Sequence, residues 1–472
     1  METLTRAVLA RLPLAEAVLT AWSWMAEDAF LEELFEKHRG RCYTRTIRFP
    51  VVVRLLHDVL VGVAPSAHRR FTQAIRDGEL TATLAPVYEK LGRLPLTLSM
   101  AFLAGCTQRL REVFPDPRLG TVPASLGAWE AITLDGKAIK HVAKRLKPLR
   151  GLRGGVLGGR ALVAQAMRSG LVLAMHAAAD GEANDIRFVP DLVPVVRARV
   201  GGPILWVADR QFGYPEVLAG LSSATDRFVV RYHGNVTFAA DPERPRRSGT
   251  DPGGRGYRED WGWLGGRQNP HRRYVRRVVL ELEKGQLVLV TDLLDAGAYP
   301  AADLLQVYRQ RWGIEGVFQQ ITEVFGLARL IGGTPEATVF QLSFCLVLYN
   351  LIQAIRAFVA AAGGRGVGEV SAEQMFRDVT ADLVAWRRLL TVEETLAYLG
   401  GVPCAASVRE RLTVLLGGVW REDWVKAKRK KIPAPHPIRP WRRGQHQSVH
   451  RVREDYKHNQ TPTAASSRKQ DP

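Results

Sequence analysis

Three acidic residues in this chain stand out by their company. Glu315 closes the phrase Tyr308-Arg-Gln-Arg-Trp-Gly-Ile-Glu315. Around it Ala301, Leu304, Leu305, Val307, Ile314, Val317, Phe318 and Ile321 recur at helical spacing, so the whole stretch reads as one helix. At about 100° per residue, Tyr308, Arg311, Glu315 and Thr322 fall within an arc of roughly 60°. One face then carries a phenol, a guanidinium, a carboxylate and a hydroxyl, and Arg311, one turn before Glu315, can orient it. In isolation such a pair is more often a plain salt bridge. Asp135 ends the apolar run Ala131-Ile-Thr-Leu134, and Asp209 ends Ile204-Leu-Trp-Val-Ala208. Each run reads as a short buried strand stopping at a polar turn, which puts a carboxylate at the rim of a sheet, where α/β folds place their sites. A single Asp there is ordinarily a turn former. Two of them with a helix-borne Glu make a set. Converging carboxylates repel one another unless cations lie between them, and hard ions such as Mg²⁺ prefer oxygen ligands.

These motifs carry a resemblance. The chain resembles the DDE transposases of bacterial insertion sequences, in the branch marked by Tyr, two residues, Arg, three residues, Glu, six residues, Lys. Tyr308, Arg311 and Glu315 match that signature in type and spacing, while Thr322 stands where the family has Lys. The Asp135-Gly-Lys137 and Ala208-Asp209-Arg210 runs match the family's other two acidic motifs. The resemblance covers roughly residues 125 to 355. It implies an α/β fold with a ribonuclease H-like mixed sheet flanked by helices. Asp135, Asp209 and Glu315 would be catalytic and would hold two Mg²⁺ ions, with Mn²⁺ as a substitute. It also implies metal-dependent cleavage at transposon ends and strand transfer into target double-stranded DNA by a homodimer that synapses two ends. Tyr308, Arg311, Arg210, Lys137 and Lys140 would position DNA or the catalytic acids. Trp261 or Trp263 would stack on a flipped base, the plainer reading being that both pack a core. A metal nuclease without strand transfer, and a transposase-derived DNA-binding protein without catalysis, stay open beside this reading.

The elements that must position these residues follow from the rest of the chain. At 472 residues, with 46% hydrophobic and 24% charged residues, the chain is long enough for several domains and a large core. Sixty-six Lys and Arg against 47 Asp and Glu give a formal charge of +19, an excess that favours a polyanion such as nucleic acid. The 4 cysteines lie far apart, without zinc or disulfide spacing, which fits a reducing cytoplasm; the resemblance implies a bacterial, nucleoid-associated location. The N-terminus has no signal-peptide pattern, and no uninterrupted apolar run approaches about 18 residues, so no membrane span is expected.

Residues 1–122 read as a helical domain, with Ser66 capping a basic helix; the resemblance implies that it binds DNA, and an accessory helical bundle without DNA contact stays open equally. Residues 123–231 and 293–362 read as two parts of the catalytic core. The first part runs as three strands, helix, strand, helix, strand. Between the two parts, residues 232–292 read as a β-rich insertion subdomain. The segment from Gly136 to Arg168 holds no acid and many Lys, Arg and Gly residues, as a DNA-backbone loop would. Residues 363–425 read as a helical C-terminal region, with Ser371-Ala-Glu-Gln374 and Thr391-Val-Glu-Glu394 as capping boxes. Residues 426–472 read as a basic, Pro-broken tail, disordered when alone.

Overall fold

Apolar strands and amphipathic helices dominate the chain between residues 122 and 362, and they assemble into one mixed sheet with helices packed against it. The structure is a computed structural model; it describes residues 7–43, 46–114, 122–140, 142–283, 285–401, 404–426 and 446–460. Its strands are β1 (Glu130–Ala138), β2 (Gly155–Leu157), β3 (Arg160–Ala166), β4 (Val172–Ala178), β5 (Ile204–Ala208), β6 (Arg227–Arg231), β7 (Phe238–Ala240), β8 (Arg247–Thr250), β9 (Gly256–Leu264), β10 (Arg273–Glu281), β11 (Gln286–Thr291) and β12 (His446–Ser448). Ten of them form a single sheet in the order β4-β3-β1-β5-β6-β11-β10-β9-β7, with β8 on β9. β3 runs antiparallel to both of its neighbours, β1 and β4, whereas β1, β5 and β6 run parallel. The β-rich segment expected over 232–292 supplies β7 to β11. These strands continue the same sheet through the antiparallel β6–β11 pair instead of closing a sheet of their own.

The N-terminal helices are α1 (Pro13–Met25), α2 (Asp28–His38), α3 (Phe49–Leu60), α4 (Ala67–Arg76), α5 (Leu84–Leu91) and α6 (Leu96–Val113). Ser66 caps α4 by accepting from the Arg69 N–H. Helices α7 (Val189–Val200) and α8 (Pro215–Leu221) connect β4, β5 and β6. α9 (Ala301–Gln310) and α10 (Gly313–Glu323) carry the acidic signature, and α11 (Pro335–Ala362) follows. α11 is long and apolar enough to cross a membrane, but 94% of its most apolar window is buried inside the protein. It is the common core. Phe49 and Phe102 of the N-terminal helices pack on Phe340 at ring distances of 5.7 and 5.4 Å. Asn350 of α11 donates to Thr107 Oγ1 of α6 and to the Val172 carbonyl of β4, both at 2.8 Å, and accepts from the Val172 N–H. A buried amide satisfied on every side ties three elements together. The N-terminal helices therefore share one continuous hydrophobic core with the sheet.

Three expectations are corrected. The stretch through Glu315 is two helices rather than one. At Arg311 and Trp312 the N–H groups bond three residues back, to Tyr308 and Arg309, and the helix restarts at Gly313, a poor interior helix residue. Asp135 does not end its strand: β5 stops at Ala208, but β1 runs on to Ala138 because β3 pairs with it as far as Ala138↔Arg160. Residues 446–460, expected to be a disordered tail, form β12 and a helix α15 (Val449–Gln460), after α12 (Ala372–Leu389), α13 (Val392–Leu399) and α14 (Ala405–Leu416). β12 pairs with β2 in parallel. The buried Ser448 hydroxyl accepts from the Gly181 N–H at 2.9 Å, and Arg451 pairs with Asp180 and Glu182. Composition misleads here because these cations meet acids far away in sequence. The remainder of the tail, 427–445 and 461–472, lies outside the described residues.

Candidate active site

β1 and β5 are parallel neighbours paired in register at Leu134↔Ala208. The next residue on each chain is an acid, so Asp135 and Asp209 stand side by side, on strands that neighbour at about 4.8 Å. The Asp135 carboxylate accepts from the Gly136 N–H at 2.8 Å. Asp209 Oδ1 accepts from the Tyr308 hydroxyl at 3.2 Å and lies 3.9 Å from Arg231. Arg311, only 4% exposed, reaches both remaining acids. Its Nη1 is 3.7 Å from Asp135 Oδ2, and its Nη2 donates to Glu315 Oε1 at 3.2 Å. The turn between α9 and α10 makes this possible. Tyr308 meets Asp209, and Arg311 meets both Asp135 and Glu315, through this break and not through the single helical face that their spacing predicts.

Burial raises the Asp135 carboxyl to about 6, with the neighbouring Glu315 and Asp209 charges adding to the rise, while the Gly136 N–H and Arg311 oppose it. Burial, then the Asp209 charge, pushes the Tyr308 phenol up to about 12, so it acts as a donor throughout the neutral range. Burial also pulls the Arg311 guanidinium down, but Tyr308, Asp209 and Asp135 more than offset this and hold it charged. The expectation of three converging carboxylates is met only in part. Among the described residues, no three His, Cys, Asp or Glu side chains stand close enough to hold one ion together. Asp135 and Asp209 are adjacent, and Glu315 joins them through the Arg311 guanidinium, which relieves the repulsion. The donor set is nevertheless that of a hard divalent ion: carboxylate oxygens with no thiol or imidazole among them.

Lys137 follows Asp135 on β1. Its half-buried ammonium donates to Thr322 Oγ1 at 3.1 Å and approaches the Phe318 carbonyl at 3.4 Å. Burial and Lys140 lower its pKa. The α10 position where the resembling family has Lys is thus met by a lysine from the adjacent strand. Lys140 and Arg210 are exposed. Trp261 is a correction: it is 4% exposed, donates its N–H to the Leu294 carbonyl at 2.8 Å, and packs the β7–β11 region. Trp263 is 41% exposed with the Arg272 guanidinium over its ring. The sequence reading assigned no role to Trp312, which is 66% exposed in the turn beside Arg311. The break that exposes this indole was not legible in a stretch that reads as one helix.

Residues 153–351 match the family model described as the transposase DDE domain. The matched segment contains Asp209 and Glu315 and begins after Asp135. The match makes this segment, less than half of the chain, similar to a transposase DDE domain. No curated protein matches it. Among solved structures, a piggyBac transposase synaptic complex with hairpin DNA is similar at 13% identity, over 89% of this chain and 87% of that chain, with a TM-score of 0.36. That score is too low to define a shared fold.

Proposed function

We propose that the chain is a DNA transposase that cleaves at transposon ends and transfers the strand into target DNA. The observation that carries the reading is the Leu134↔Ala208 register. It sets Asp135 beside Asp209, with Tyr308, Arg311 and Glu315 laid across them. The sheet order β4-β3-β1-β5-β6, with the last three strands parallel, fits a ribonuclease H-like core. The transposase DDE domain match and the +19 formal charge support a double-stranded DNA partner. The organisation we propose is a helical DNA-binding region over 1–122, a core over 123–231 and 293–362, a β-rich insertion over 232–292 and a helical region over 363–425. We place the protein in a bacterial cytoplasm, acting as a homodimer.

Asp135 and Asp209 would hold one Mg²⁺ directly, and Glu315, once released from Arg311, would complete the set for a pair. Bound ions of this kind lower the pKa of an attacking water or 3′-hydroxyl and stabilise the leaving oxygen. The side chains do the rest. Tyr308 fixes the Asp209 carboxylate by its hydrogen bond. Until that release Arg311 holds Glu315 beside Asp135. Lys137 keeps α10 against β1. Lys140 and Arg210 face solvent at the rim, where backbone phosphates would pass.

The test is incubation of purified protein with Mg²⁺, target DNA and a duplex carrying the inverted repeats that flank the coding region. Joined products support transposition. Nicks without joining support a metal nuclease. Binding without any cleavage supports a non-catalytic DNA-binding protein.

A further inference from the structure

Below β1, on the side away from Arg311's partners, lies an acid with no place in the scheme so far. Asp185 is 1% exposed and opens the short turn Asp185–Phe188 ahead of α7. A charge that deeply buried persists only if it is fully paired. Arg160, where β3 begins, grips both carboxylate oxygens with one edge of its guanidinium: Nε donates to Oδ1, and Nη2 donates to Oδ2 at 2.6 Å. Gln211, two residues after Asp209, donates its amide to the same Oδ2 at 3.1 Å. The carboxylate also lies directly against Gly136. A Cβ there would sit 2.0 Å from Oδ2, a distance no side chain tolerates. One carboxylate thus touches the residue after Asp135 and holds the turn after Asp209.

We propose that Asp185 is a positioning residue for the paired acids, setting the gap between the strand that carries Asp135 and the turn that carries Asp209. This rests on reading those two acids as a metal centre. Asp185 is saturated by Arg160 and Gln211 and is not itself a ligand. Gly136 is required because only a bare Cα lets the carboxylate reach both sides. Arg160 lies within electrostatic reach of Asp135, so Asp185 has a second duty: it keeps that guanidinium occupied. Without Asp185, the Arg160 charge would turn on Asp135 and compete with a metal ion.

The test uses the full chain and Mn²⁺, with free Mn²⁺ read by electron paramagnetic resonance and folding followed by circular dichroism. Asp185→Asn should bind Mn²⁺ at least about tenfold more weakly than wild type, the usual effect of losing an outer-shell partner. Arg160→Gln with Asp185→Asn should recover most of that loss, because two amides keep the hydrogen bond and remove the stray charge. Gln211→Leu breaks only the link to the Asp209 turn, leaves the ion pair intact, and should weaken binding several-fold. If Asp185→Asn does not fold, the Gln211 variant decides. Wild-type Mn²⁺ affinity in the folded single variants would overturn the proposal. Asp135→Asn is the control: if it binds Mn²⁺ as wild type does, the metal-centre reading fails and this assignment fails with it.

Discussion

Asp135 is a strained acid, and neutralising it should stabilise the protein. Its carboxyl rises from 3.8 to about 6 on folding, mainly because burial removes it from water. A folded value above the unfolded one means that the stability contribution is fully present below pH 3.8 and is lost as pH rises through about 6. A rise of about two pH units corresponds to a cost of about 3 kcal/mol for holding the ionised form at neutral pH. The side chain is 20% exposed, so screening removes little of this. Asp135→Asn keeps an acceptor for the Gly136 N–H and removes the charge. In chelator at about pH 8 the variant should be more stable than wild type by up to about 3 kcal/mol, and near pH 4 the two should coincide. Saturating Mg²⁺ should reverse the order, because only wild type gains binding energy. Thermal melts of both proteins at the two pH values, with chelator and with Mg²⁺, measure this. Equal destabilisation of Asp135→Asn at both pH values would refute the reasoning, because the carboxylate would then be a net stabilising partner of Arg311.

Further outcomes follow from the same geometry. Arg311→Gln removes a cation that favours the Asp135 carboxylate, so the acid limb of cleavage should move to higher pH; a pH–rate profile with an unmoved limb counts against the bridge. Trp312→Ala should weaken binding to DNA ends with unpaired bases by about 1–3 kcal/mol. Fluorescence anisotropy measures that loss, and unchanged affinity would leave the exposed indole without a role. Ser448→Ala strands the Gly181 N–H and should cost about 1–3 kcal/mol. Unaltered proteolytic cutting near residue 446 would mean that β12 is not held as the structure has it.

Local chemistry made much of this legible. Hydrophobic period marked β5, β6 and α11, and the caps at Ser66 and Thr391 form as their residue types require. The Arg311–Glu315 pair was legible from spacing, although the single helix assumed for it is broken at Arg311. What the sequence left hidden is long-range. Nothing near Asp185 announces that Arg160 and Gln211 will close on it. The extension of β1 beyond Asp135 depends on β3, and the burial of Trp261 on the Leu294 carbonyl. The C-terminal strand and the helix after it are held by Gly181, Asp180 and Glu182, more than 260 residues away. The helix break at Arg311 sits at a glycine, but its consequence, a guanidinium between two acids, appears only when β1 is packed beneath it.

The central claim is that Asp135, Asp209 and Glu315 act together as the catalytic acids of a DNA transposase. Asp209→Asn tests it most directly, because the amide keeps the Tyr308 contact and removes charge a metal needs. Mobility shift and cleavage are measured in parallel on a labelled duplex ending in the element's own repeat, with Mg²⁺ present. The account predicts wild-type DNA binding with cleavage and strand transfer abolished. Cleavage that survives in the variant, or binding lost in step with cleavage in a folded protein, would contradict it.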